Sequence, residues 1–171
     1  MFPIAQIKAA FKLAFMFFVG MLFAAYCLSE FESGKFDKHL PELTYVAISL
    51  VITGMWAVWQ MQEAIGDPSI LARLPRSQRN ILGFKQEYSR RRVVGSIVLT
   101  IAAGIVTTFG ESVLDSNSYL LLVGGCLAMM VTLFVQHLLS YLAYSQKKSE
   151  LQRRIADIER KERNAQKLNS K

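Results

Sequence analysis

The chain has 171 residues, 52% of them hydrophobic, and a formal charge of +7. Its mean hydropathy of +0.26 is too high for an ordinary soluble domain, so the basic balance reads as charge placed in membrane-flanking loops rather than as a nucleic-acid surface. The two cysteines, Cys27 and Cys126, both sit inside apolar runs, which excludes a disulfide framework and a zinc-ligand spacing.

Four apolar runs follow one another. The first, Leu13 to Leu28, is long enough to span a bilayer when Ala9 to Lys12 join it, giving a span over about residues 9–28 with Lys12 reaching back to the interface. A basic start before an apolar core also fits a signal peptide. Tyr26 stands where a lipobox needs a small residue and no Ala-x-Ala site occurs, so an uncleaved anchor is expected. A polar segment, Ser29 to Glu42, carries Glu30, Glu32 and Asp37 and ends around Pro41. The second span is predicted over 43–62, the third over 92–110 and the fourth over 118–142.

Between the second and third spans lies a basic loop, 63–91. Within it Pro68 to Leu74 fits a short interfacial helix ended by Pro75, and Ser77 fits the N-cap of a further helix running through Tyr88 into the third span. Arg73, Arg76, Arg79, Arg90, Arg91 and Arg92 at this level fit anionic phospholipid headgroups, or simply a loop with cytoplasmic charge. The fourth span runs on, with no Gly or Pro after Gly125, into a charged tail over 146–171. The chain therefore reads as all-α: a four-helix transmembrane domain over 1–145 and a long fourth helix extending into an amphipathic cytoplasmic tail.

Sixteen of the twenty Lys and Arg lie in the middle loop, counted through Arg92, and the tail, and two more, Lys8 and Lys12, lie at the N-terminus. The positive-inside rule then predicts both termini in the cytoplasm, and the lack of an Asn-x-Ser/Thr site fits a bacterial inner membrane. Tyr26, Tyr45 and Tyr119 fall at the outer ends of the spans, with Trp59, Tyr141 and Tyr144 at the inner ends, as aromatic belts do.

In lipid, helices associate through small residues and interhelical hydrogen bonds. Ser96, Thr100, Gly104 and Thr108 repeat every four residues in the third span, and Gly124, Ala128, Thr132 and Gln136, continued by Ser140, do so in the fourth. Consecutive antiparallel helices with such ridges predict a tight hairpin in which both Gly104 and Gly124 resist enlargement. An oligomer or pore interface is the competing use. Shorter ridges occur at Ser49, Thr53 and Ala57 in the second span, and at Gly20 and Ala24 in the first.

The tail spaces Leu151, Ile155 and Ile158 as a short coiled-coil seam, with Glu150–Arg154 and Glu159–Arg163 as i,i+4 pairs supporting the helix. It reads either as a self-association helix or as an amphipathic helix lying on the basic loop or the membrane. Nucleic-acid binding is disfavoured by the interspersed acids and the absence of stacking aromatics.

Chemistry is sparse. His137, beside Gln136, is the one ionisable group in the apolar part of the fourth span, and hydrogen bonding to a neighbouring helix is expected of it rather than a proton path. Glu30 and Glu32 would make an acidic pore mouth if several copies assembled around the first span. No nucleophile motif, metal spacing or paired carboxylate occurs, so neither enzyme activity nor a cofactor is expected. The expected role is a non-enzymatic subunit, scaffold or regulator of a membrane complex, whose partners are the bilayer and a second copy or another membrane protein. A homo-oligomeric pore is the alternative.

Overall fold

The computed structural model describes residues 4–30 and 33–169 and is helical almost throughout. Five helices occur among the described residues: α1, Ile4–Glu30; α2, Ser33–Ile65; α3, Pro68–Ala72; α4, Arg76–Val113; and α5, Ser116–Asn169. Four of them are long and apolar enough to cross a membrane. The helices overrun the predicted spans at both ends. α2 begins in the polar segment and carries Pro41 inside it, so the segment expected to separate the first two spans is partly helical. α4 is one helix of 38 residues that includes most of the basic loop.

Helix ends follow local chemistry. Pro75 is the N-cap position of α4, with φ −55° and ψ 146°, and its carbonyl accepts from the N–H groups of Gln78 and Arg79 at 3.0 and 3.1 Å. The ring of Pro75 supplies a helix-compatible φ, so the helix starts before Ser77, which is not the cap. Between α4 and α5 the Asp115 carboxylate accepts from the Ser118 N–H at 3.1 Å, an Asx cap at the start of α5. That hydrogen bond holds the Asp115 carboxyl below the usual carboxylate range.

α5 is the central helix. It packs against α1, α2 and α4, and α2 also packs against α4. At 54 residues it is about 81 Å long at ~1.5 Å per residue, more than twice what a bilayer core needs. Its upper half is enclosed on several sides: Tyr119, Leu120, Val123, Cys126, Met130, Leu133 and His137 are all buried. α1 by contrast leaves Phe11, Phe15, Phe18, Leu22 and Phe23 exposed, a surface suited to lipid.

The buried face of α4 is Ser89, Val93, Ser96, Thr100, Ala103, Thr107 and Gly110, which alternates steps of four and three residues. This departs from the predicted ridge. A strict four-residue repeat drifts by about 40° per step on a helix of ~3.6 residues per turn, so after Thr100 it leaves the packed face. Gly104 is only half-buried, and a Cβ built on it would have nothing within 4 Å. Thr108 is exposed, though its hydroxyl meets that of Tyr45 on α2 at 3.1 Å. Ser49 and Thr53 of α2 point outward as well.

The close helix contact forms elsewhere, between α1 and α5. A Cβ on Gly20 would lie 2.5 Å from the Gly124 carbonyl oxygen and 2.6 Å from the Ala128 Cβ, and one on Gly124 would lie 2.5 Å from the Ala24 Cβ. Gly20-x3-Ala24 and Gly124-x3-Ala128 are thus two small-residue pairs seated on each other with no room for a side chain. Gly104 and Gly124 are therefore not brought together, although α4 still packs on α5 and is tied to it by His137 and Ser96.

Candidate functional site

Polar side chains gather where α2, α4 and α5 leave their apolar segments. Most hydroxyls bond within their own helix: Thr100 donates to the Ser96 carbonyl at 2.7 Å, Thr107 to Ala103 at 2.8 Å, Thr132 to Ala128 at 2.9 Å and Ser140 to Gln136 at 2.8 Å. A hydroxyl satisfied by the carbonyl four residues back needs neither water nor a neighbour, so the ridges carry no cross-helix hydrogen bonds beyond a few specific ones.

Those few converge on one level of the bundle. His137 Nε2 lies 3.0 Å from Ser96 Oγ, with His137 buried. Arg92 donates to Gln136 Oε1 at 3.2 Å, and Gln62 donates to Ser89 Oγ at 2.5 Å. Gln86 donates to the Gln62 carbonyl at 3.0 Å. His137 therefore ties α5 to α4, and Gln62 ties α2 to α4. The Gln62 carboxamide oxygen is buried with no partner among the described residues.

Two cavities meet at this level. The upper one, about 220 Å³, is bounded by all four long helices and lined by Leu13, Val58, Leu99 and Leu133 together with Gln136 and His137. The lower one, about 470 Å³, runs between α4 and α5 and is lined by Ile81, Leu82, Tyr144 and Leu151, with Lys85, Arg92, Lys147 and Arg154. Ser89, Arg92 and Ser140 line both. Glu150 accepts from Lys147 at 2.8 Å and from Arg154 at 2.7 Å. The Lys147 hydrogen bond and the two positive charges hold its carboxyl below the usual range.

The six arginines of the loop separate into different roles. Arg73 pairs with Glu159 of the tail, Arg91 with Glu87 at 3.0 Å, and Arg90 lies over the Trp59 ring at 5.4 Å. Arg76 and Arg79 are exposed on the first turn of α4. Arg92 alone lines both cavities. Lys85 and Lys147 line the lower cavity with it, and Lys147, on α5, was not among the headgroup contacts read from the sequence. The signal for them was amphipathic spacing across two helices, which no single segment displays.

The tail divides similarly. Leu151 is buried with Ile65, Leu74 and Leu82, while Leu71 and Tyr144 pack on that cluster. Ile155 is half-buried and Ile158 is exposed. The Glu159 carboxylate is engaged by Arg73, so Arg163 bonds the Glu159 backbone carbonyl at 3.3 Å instead. Glu30 ends α1, and Glu32 lies outside the described residues. Among the described residues no three His, Cys, Asp or Glu come together in a way that could hold a metal ion.

The molecule is thus an all-helical protein with four helices of membrane-crossing length and apolarity, the make-up of an integral membrane protein. Comparison with protein-family models, characterised proteins and solved structures finds no match to the chain.

Proposed function

We propose that this protein is a non-enzymatic subunit or scaffold of a bacterial inner-membrane complex, with both termini cytoplasmic and α5 as its contact arm. One observation carries the reading. α5 continues well past its apolar segment, is buttressed at Leu151 and Glu159 by the 65–82 region, and leaves the Ile158 side uncovered. A helix held at a fixed angle with a free apolar edge loses little conformational entropy on meeting a partner. Orientation rests on the sixteen cations of the loop and tail, which belong on the cytoplasmic face.

Photo-crosslinkers at Ile158 and Arg160 are expected to capture one and the same membrane protein or a second copy in cells. A crosslinker at lipid-facing Phe18 should give no such adduct. Tail positions that crosslink to nothing in cells overturn the contact-arm reading. Topology has its own check: an impermeant thiol reagent should label Ser112→Cys in intact cells and Ser77→Cys only after permeabilisation, since the native cysteines are buried. The reverse pattern inverts the orientation.

A homo-oligomeric pore is the second reading, and the exposed aromatic face of α1 is what favours it. In planar bilayers the purified protein is expected to give no conductance above the lipid background. A conductance that changes with Glu30→Gln or Glu32→Gln replaces the scaffold with the pore.

A further inference from the structure

We propose that the cleft where α1, α4 and α5 meet binds one anionic glycerophospholipid, with its phosphate on Arg92, Lys85 and Lys147 and an acyl chain in the upper cavity. This goes beyond the contact arm and does not depend on it.

The first support is continuity. The upper cavity is lined at the depth of the apolar segments by aliphatic side chains of all four long helices, and the lower one begins where those segments end. Arg92, Ser89 and Ser140 line both, so a ligand can place an apolar part above and a polar part below without crossing protein. α1 packs on α5 and α2, and α4 on α2 and α5; α1 and α4 are not among the closely packed pairs. The side between α1 and α4 is where a chain could enter from the bilayer.

Charge complementarity is the second support. Four cations line the lower cavity. Glu150 is one carboxylate shared by two cations, Lys147 and Arg154, and among the described residues Lys85 and Arg92 have no carboxylate partner, so the four cations keep a net positive charge. Arg92 is held by Gln136 at 3.2 Å and lies 6.0 Å from the Tyr88 ring, contacts that orient a guanidinium without neutralising it. A cluster with a net excess of cations beside an apolar cavity matches a phosphodiester attached to a hydrocarbon chain. The lower cavity lies within the roughly 300–1,000 Å³ of small-ligand sites. An acidic peptide would satisfy the cations but would leave the upper cavity unexplained.

The test is native mass spectrometry of the full-length, delipidated protein with phosphatidylglycerol, phosphatidylcholine or inorganic phosphate added. One phosphatidylglycerol per chain is expected, retained at least tenfold better than phosphatidylcholine. Lys85→Gln with Lys147→Gln should cut retention about tenfold, and Arg79→Gln with Arg160→Gln, which removes the same charge outside the cleft, should not. Gly95→Leu lines the upper cavity and its Cβ meets nothing within 4 Å, so it fills the chain site without disturbing the fold. It too should lower retention, with helicity and melting unchanged in every variant. Equal losses from both charge pairs, equal retention of the two lipids, displacement by inorganic phosphate alone, or an unaffected Gly95→Leu each overturn the proposal.

Discussion

Gly124→Leu is expected to unseat α1 from the bundle, at a cost of about 3 kcal/mol in reversible unfolding from detergent, the upper end of ordinary overpacking. The reason is backbone-level contact. The new Cβ would start 2.5 Å from the Ala24 Cβ and 3.1 Å from the Gly20 carbonyl oxygen, and neither neighbour has a flexible end that can swing aside. Gly20→Leu should behave alike, because its Cβ would strike the Gly124 carbonyl and the Ala128 methyl. Gly104→Leu is the control. It faces open space, so its effect should stay within about 0.5 kcal/mol, the range of surface changes. A large loss at Gly104 with none at Gly124 would restore the hairpin that the four-residue spacing suggested and remove the α1–α5 contact.

That pair shows what the sequence could and could not reveal. Four helices long and apolar enough to cross a membrane, and the unbroken continuation of the last, were legible because apolar length and the lack of helix breakers act locally. The partner of each small residue was not. Gly20 and Ala24 were visible as a short motif, yet longer ridges in the third and fourth spans looked stronger. A motif's length counts for little once a four-residue repeat has rotated off the packed face, and the choice of neighbour depends on the whole bundle. The cation cluster was hidden for a similar reason. Arg92 stood out in a run of three arginines, but Lys85 and Lys147 are 62 positions apart in sequence and line one cavity only because α4 and α5 run side by side.

The polar level formed by Gln62, Ser89, Arg92, Ser96, Gln136 and His137 connects these features. It lies between the tightly packed apolar half of the bundle and the lower half of α5, and its hydrogen bonds fix α4 against both α2 and α5. With α4 held there, its N-terminal part runs beside the lower half of α5 and brings Leu82 onto Leu151, with Leu74 joining from the turn after α3. Polar contacts between helices of this kind are worth only about 0.6–2 kcal/mol each, so they set register more than they set stability.

Leu151→Ala is then the second informative change. Leu151 is 2% exposed, enclosed with Ile65, Leu74 and Leu82, and its truncation should weaken the docking of the 65–82 region on the lower half of α5 by about 2–3 kcal/mol, the low end for a buried leucine. The Arg73–Glu159 pair is exposed and adds at most about 1 kcal/mol, so it cannot hold the docking alone. Amide exchange should therefore quicken over residues 68–82 and 145–160 while the apolar segments of the four long helices stay protected. Ile158→Lys, at 38% exposure, should leave that exchange pattern intact. The two variants separate the uses of the apolar seam read from the tail. If Leu151 serves within the chain and Ile158 serves a partner, particle size in detergent responds to Ile158→Lys and not to Leu151→Ala. A smaller particle with Leu151→Ala, with exchange over 68–82 unchanged, would mean that Leu151 is buried by a second copy instead of by its own loop.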